Sequence, residues 1–246
     1  MNIYNQLLSK GNPKMVPFII RQIKMKHILF IVTSTDKTGT GKHPAGYEFS
    51  EIADPYFEFT NKGYTVDFAS ILGGNPPYVG YDSSQKTSKE FKESNAFKRL
   101  NFSHKLSNVD VKAYDAIFFP GGLGLMTDML DNPLVKKIIK ETYENEKIIG
   151  AVCHGPSALL NVILSDGSNL LEGKKINSFT KAEEDIDKHL LGDVIPFMLD
   201  EKLIKQGAIF SHTSPFEPYV VRDGNLVTGQ NPASALFVAI EMIKII

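Results

Sequence analysis

The sequence has no tryptophan, a single cysteine, no apolar run near the length of a membrane span and no excess of either charge. One cysteine cannot close an intrachain disulfide, and a lone thiol suits a reducing compartment, so the expected location is the cytoplasm. Crossing a bilayer takes about 20 consecutive apolar residues; no such run exists here, so no membrane partner is expected. Lys and Arg total 27 against 28 Asp and Glu, a net charge of −1. That balance gives no pull toward phosphate backbones, and nucleic acid is not an expected partner either. What remains is an ordinary globular composition, 42% hydrophobic over 246 residues, with enough chain for one large α/β domain or two small ones.

Charge is uneven only at the start. Residues 1–26 carry Lys10, Lys14, Arg21, Lys24 and Lys26 and no acid. A basic, acid-free leader can be an organelle transit sequence, but Pro13 and Pro17 interrupt it. Its apolar stretch Phe18-Ile19-Ile20 is too short for a signal core. It reads as an N-terminal extension, or as a start codon placed upstream of a natural beginning at Met25-Lys26-His27. A single domain is expected over 27–246.

Along that domain the pattern alternates. His27 to Thr33 is a continuous apolar, β-branched run, the mark of a strand buried on both faces. From Ala45 to Asn61 apolar positions recur at helical spacing, with Gly63 placed to end the helix and Pro55 expected to kink or divide it. Tyr64 to Ala69 is a second strand. Strand, helix and strand within about 40 residues make a βαβ unit and hence a parallel sheet. Residues 73–110, polar and with helical stretches around Phe91 and Phe97, interrupt the rhythm as an inserted cap expected over the working end of the sheet. The beat resumes with a strand at Tyr114 to Phe119, a helix at Leu134 to Glu144 and a strand at Lys147 to Val152. Further strands are expected at Lys175 to Phe179, Ala208 to Phe210 and Leu226 to Thr228, with a closing helix at Pro232 to Ile246.

The chemistry concentrates at Ile149-Gly150-Ala151-Val152-Cys153-His154-Gly155-Pro156-Ser157-Ala158. An apolar strand ends at Cys153 and a helix-ready segment starts two residues later, so Cys153 sits on a sharp strand-to-helix turn. Such a nucleophile elbow needs small residues two positions to either side, and Ala151 and Gly155 fit. A helix N-terminus beside the sulfur would favour the thiolate. The alternative is a buried structural cysteine. His154 is a candidate base whose proximity depends on geometry. Pro120-Gly121-Gly122-Leu123-Gly124 follows another strand, on the same edge of a parallel sheet, where bare backbone N–H groups can supply part of an oxyanion hole. Its spacing does not match the G-x-G-x-x-G of a dinucleotide loop, so no such cofactor is expected.

The elbow, the Pro120-Gly121-Gly122 loop and the tail Asp223-Gly224-Asn225-Leu226-Val227-Thr228-Gly229-Gln230-Asn231-Pro232 together resemble the ThiJ/PfpI superfamily. Within it, the helix from Gly46 to Gly63 and the insertion resemble the branch of glutathione-independent glyoxalase III enzymes and heat-shock chaperones. The resemblance runs from about His27 to the C-terminus. It implies a flavodoxin-like α/β fold, a parallel sheet sandwiched by helices. It implies Cys153 as nucleophile, His154 as base and Glu51 as the acid that hydrogen-bonds the sulfur. Glu184 would orient the histidine, with Glu183 as fallback, and Gly122 and the His154 N–H would be the oxyanion donors. Leu123 departs from many relatives, which carry His there.

The implied activity is a lyase of the D-lactate dehydratase type that turns methylglyoxal or a similar 2-oxoaldehyde into a 2-hydroxy acid without glutathione. No metal and no organic cofactor are expected, since the other histidines show no HExxH-type spacing. The partner is then a small aldehyde, and the family habit of pairing implies a homodimer. Two other classes share the same residues. One is a stress-response holdase chaperone or redox-sensing protein; the other is a deglycase, protease or amidase. Glutamine amidotransfer would need a late His-x-Glu motif, whereas His212 is followed by Thr213 and Ser214.

Overall fold

The computed structural model describes residues 25–38 and 41–246, so all but the last two residues of the expected N-terminal extension lie outside the described residues. In chain order the elements are β1 (His27–Val32), β2 (Tyr47–Glu48), α1 (Ser50–Asn61), β3 (Thr65–Ser70), β4 (Tyr78–Val79), α2 (Lys86–Glu93), α3 (Asn95–Leu100), β5 (His104–Lys105) and β6 (Ala116–Phe119). They continue with α4 (Leu125–Asp128), α5 (Pro133–Glu144), β7 (Ile148–Val152), β8 (Lys175–Ile176), α6 (Lys181–Asp187), α7 (Leu199–Lys205), β9 (Ile209–Phe210), β10 (Val220–Asp223), β11 (Leu226–Gly229) and α8 (Ala235–Ile243).

Seven strands form the main sheet in the order β10-β11-β7-β6-β1-β3-β5. All neighbours run parallel except the antiparallel edge pair β10–β11. The five long-range partners β3-β1-β6-β7-β11 have the 2-1-3-4-5 order of a doubly wound fold, whose ligands gather beyond the carboxyl ends of the strands beside the β1/β6 switch point. The apolar run of β1 follows from this position. Ile28, Phe30 and Val32 face one core with α1 and α8, while Leu29 and Ile31 face the other with α5. All five of these side chains are buried, so no polar alternation is needed.

Several local expectations are corrected. Pro55 does not divide α1, which runs unbroken through it; a proline there forfeits one bond, to the Glu51 carbonyl in the first turn. The strand expected at Lys175 to Phe179 shrinks to the two residues of β8, which pair with β9 outside the main sheet. The segment after Cys153 is a five-residue 3-10 helix, Gly155–Leu159, rather than an α-helix. In the insertion, Phe91 of α2 packs edge-on and Phe97 of α3 at a tilt against Phe49, with ring centroids 5.8 Å apart in each case. Phe91 also meets Tyr56 and Phe68. The two helices thus lean on α1 and β3, while β4 pairs with β2 and carries Val79 to the mouth of the site.

Candidate active site

Cys153 follows the last residue of β7 with φ at +60°, a backbone angle a non-glycine residue holds only when its surroundings enforce it. They do so here from both sides. Its N–H donates to the Gly229 carbonyl of β11 at 2.9 Å, and its carbonyl accepts from the Phe179 N–H at 2.9 Å. The turn also explains Gly155, since a Cβ there would lie 2.4 Å from the Phe119 carbonyl oxygen.

The sulfur lies 3.3 Å from His154 Nδ1, so the adjacent imidazole does fold back onto it. His154 Nε2 is 2.9 Å from Glu184 Oε1. All three side chains are buried. Burial opposes ionisation of Glu184, but His154 and then His189 overcome it and hold its carboxyl at about 2. An ionised carboxylate only accepts, so Nε2 carries the hydrogen, and in the neutral imidazole Nδ1 is the nitrogen that can accept from the thiol. Phe179 lies against the imidazole with ring centroids 4.8 Å apart.

The choice between Glu183 and Glu184 comes from one helix start. Thr180 and Glu183 form a capping box, in which each side chain serves the other's backbone N–H. Glu183 Oε1 further accepts from Phe216 N, Gln230 Nε2 and Asn231 Nδ2. It is a structural anchor, and Glu184, one residue on, is turned toward His154. At the other end of α6, Lys188 closes the helix in the left-handed conformation and returns His189, whose Nδ1 lies 2.6 Å from Glu184 Oε2. Glu184 therefore sits between two imidazoles, a partner the sequence reading did not include. Nothing in the spacing signals His189, because the αL turn that returns it is invisible in composition. The Thr180-x-x-Glu183 pattern, by contrast, was a readable sign that Glu183 had another duty.

His154, Glu184 and His189 offer three ligand atoms within 4.8 Å of one another, the one set among the described residues that could hold a metal ion. Both Glu184 oxygens already accept from the imidazoles, so a cation would have to displace the hydrogen bonds that orient His154.

On the opposite side of the sulfur the carboxyls are of another kind. Glu51 of α1 is fully buried; its Oε2 accepts a short hydrogen bond from the Gly121 N–H, and its Oε1 has no partner among the described residues. The space a Cβ on Gly121 would occupy is bounded by Glu51 Oε2 at 2.6 Å and Cys153 Cβ at 2.7 Å, which fixes how closely acid and cysteine approach. Burial, reinforced by Glu48, pushes the Glu51 carboxyl well above the usual range. Burial likewise pushes the Cys153 thiol well above its ordinary value, and the ionised Glu184 adds to it; a Glu51 that keeps its proton adds no charge to this effect. The expected helix-dipole support for a resting thiolate is thus outweighed by desolvation, and a five-residue 3-10 turn supplies little dipole.

Cys153 and His154 open onto a cavity of about 210 Å³ lined also by Glu48, Val79, Gly122, Leu123, Phe179 and His189. Leu123 gives it an apolar wall. Neither Gly122 nor His154 commits its backbone N–H to a partner among the described residues. A larger hollow of about 350 Å³ between β3 and α3 is lined by no cysteine, serine or threonine. No helix among the described residues is long and apolar enough to cross a membrane.

Among known proteins, the chain is 31% identical over 238 residues to a Candida albicans protein named glyoxalase 3, covering 89% of this chain and 98% of the relative. It is 29% identical over 239 residues to a Saccharomyces cerevisiae protein named glutathione-independent glyoxalase, covering 89% and 97%. The crystal structure of Candida albicans glyoxalase III superposes with a TM-score of 0.79 at 29% identity, over 89% of this chain and 97% of that one. The Francisella tularensis rapid encystment protein of 24 kDa superposes with a TM-score of 0.84 at 34% identity, over 89% and 98%. The DJ-1/PfpI family model matches residues 44–245. With an elbow cysteine on a doubly wound sheet and a match over most of its length, the chain belongs to the DJ-1/PfpI family.

Proposed function

We propose that this protein converts methylglyoxal or a similar small 2-oxoaldehyde to the corresponding 2-hydroxy acid without glutathione, using Cys153 as nucleophile. The observation that carries this reading is the buried chain from Cys153 Sγ through His154 to Glu184, 3.3 Å and 2.9 Å, opening on a small cavity. The names of the relatives point to the same substrate class.

The thiol is neutral at rest, so it must lose its proton as it reacts. His154 Nδ1 takes that proton while the sulfur adds to the aldehyde carbon, C1. The oxyanion that forms rests on the Gly122 and His154 N–H groups and regains the proton from the imidazolium, giving a hemithioacetal. His154, neutral again, removes the C1 proton, which the neighbouring ketone acidifies, and returns it to C2. The resulting thioester is hydrolysed by water to a 2-hydroxy acid, and Cys153 is released as thiol. C1 is oxidised and C2 reduced within one molecule, so no external redox partner is required. Glu184, ionised throughout, stabilises the transient imidazolium.

A cavity of this size accommodates a three-carbon aldehyde more readily than a peptide, which favours this reading over proteolysis. The test is lactate formation from methylglyoxal without added glutathione. Wild type should produce it and Cys153→Ala should not; equal turnover in the two would end the proposal.

A further inference from the structure

Taking the Cys153 chemistry above as given, we propose that Glu48 is a further catalytic residue, the acid–base that carries protons between the two oxygens of the 2-oxoaldehyde while His154 moves the carbon-bound proton. Glu48 ends β2 and lines the cavity together with Cys153 and His154. Its position is fixed by backbone: its own N–H donates to the Gly121 carbonyl at 3.0 Å, and β2 pairs with β4 in register Glu48 to Val79. The residue after Val79 is Gly80, at φ +70°. A Cβ there would lie 1.8 Å from Glu48 Oε1, so the carboxyl is seated on bare backbone and needs a glycine beneath it.

The groups facing Glu48 are Glu51 on α1, Cys153 and His154 at the elbow, and Asp187 and His189 at the end of α6. No lysine or arginine lines the cavity to hold the carboxylate ionised. Burial pushes its carboxyl up to about 7, against hydrogen bonds from Ser50 and Phe49 that pull it down. Both protonation states are then available near neutral pH, the condition for efficient proton transfer in either direction.

The chemistry needs such a group. Moving hydrogen from C1 to C2 through an enediol changes the protonation of both oxygens, and one imidazole cannot serve two carbons and two oxygens at once. In the first half, His154 removes the C1 proton; the C–H electron pair becomes the C1=C2 bond, and the ketone oxygen takes the Glu48 carboxyl proton. In the second half, Glu48 carboxylate takes the proton from the C1 hydroxyl. The C1=O bond forms, and the C=C pair captures the His154 proton at C2. The product is the 2-hydroxy thioester on Cys153, and both Glu48 and His154 return to their starting states.

The test compares wild type, Glu48→Gln, Glu48→Asp and Cys153→Ala in steady-state turnover of methylglyoxal between pH 5 and 9, with iodoacetamide labelling of Cys153 as a check on the thiol. Glu48→Gln should lower kcat about 100-fold with little change in KM, remove the limb of the pH profile that titrates near neutrality, and leave Cys153 labelled once per chain. Glu48→Asp should recover part of kcat together with that limb. Wild-type kcat and pH profile in Glu48→Gln, with Cys153→Ala inactive, would overturn the role of Glu48 and leave the cysteine reading standing. A lower kcat with the limb intact would also overturn it, as a merely structural effect. Wild-type turnover in Cys153→Ala would sink the cysteine reading itself.

Discussion

The two sides of Cys153 hold the same kind of residue in opposite states. On one side, Glu184 is buried yet ionised, because two imidazoles converge on its oxygens at 2.9 and 2.6 Å. On the other, Glu51 is fully buried and Glu48 partly so, no lysine or arginine lines the cavity, and desolvation raises both carboxyls, Glu48 to about 7. Burial alone does not decide the charge of a carboxyl; its partners do. The difference divides the labour. In the proposed reaction the ionised side would stabilise an imidazolium and so make His154 a usable base, while the other side would keep proton donors beside the sulfur and the substrate oxygens. Environments that separate the pKa values of like groups are how acid and base roles are assigned at a single pH.

Removing the ionised side should have the largest effect. Glu184→Ala leaves His154 without its orienting acceptor, and kcat should fall at least about 100-fold. The same substitution tests the charge. A carboxyl depressed to about 2 contributes stability that is present above its unfolded value near 4.3 and lost as pH falls through about 2. Urea unfolding at pH 7 should therefore show the variant about 3 kcal/mol less stable, with the gap closing toward pH 2. A gap independent of pH would mean that Glu184 acts by packing rather than as an anion.

The neutral side predicts the reverse sign. Glu48 has a raised pKa, so the native state holds a proton that the unfolded chain has lost; stability falls as pH rises from about 4.3 to 7 and stays reduced above. Glu48→Gln abolishes that slope. At pH 8 the variant should be more stable than wild type by up to about 3 kcal/mol, and at pH 4 the two should match. A protein stabilised by the same change that slows it cannot be slow through misfolding, which sharpens the catalytic test. Equal stability at both pH values would place Glu48 in solvent.

Much of this arrangement was legible in the sequence where one local rule was enough. The β1 run announced a strand buried on both faces, and Ala151 and Gly155 around Cys153 announced the elbow. The fold followed from counting alternating units. Where several influences compete, the sequence was silent or misleading. Lys175 to Phe179 looks apolar enough for a sheet strand, but only Lys175 and Ile176 pair, and the buried polar Asn177 beyond them bonds Thr228 and Tyr219 instead. The edge strand β10 is only half-buried and mixes Val with Arg and Asp, so it carried no period. Without family resemblance Glu51 and Glu184 would not stand out among 28 acids. Glu48 and His189 were missed because their importance is set by partners distant in the chain. The sign of the thiol shift depended on burial, which no motif encodes.

The smallest expected effect tests whether the ionised side depends on its second imidazole. His189 is half-buried, and its hydrogen bond to Glu184 raises its pKa against a smaller opposing contribution from burial. A histidine with a raised folded-state pKa contributes fully below its unfolded value near 6.5 and loses that contribution as pH rises through the folded one. Solvent reaches the pair, so the charge is worth about 0.5–1 kcal/mol. His189→Ala should therefore lower kcat roughly two- to fivefold at pH 6, and the deficit should shrink by pH 9, where wild type has also lost the positive charge. His189 also lies near Phe179, with ring centroids 6.3 Å apart, so its removal loosens packing around His154 as well. Packing does not titrate. A deficit of the same size at pH 6 and pH 9 would assign His189 to that contact, leaving Glu184 ionised through His154 alone.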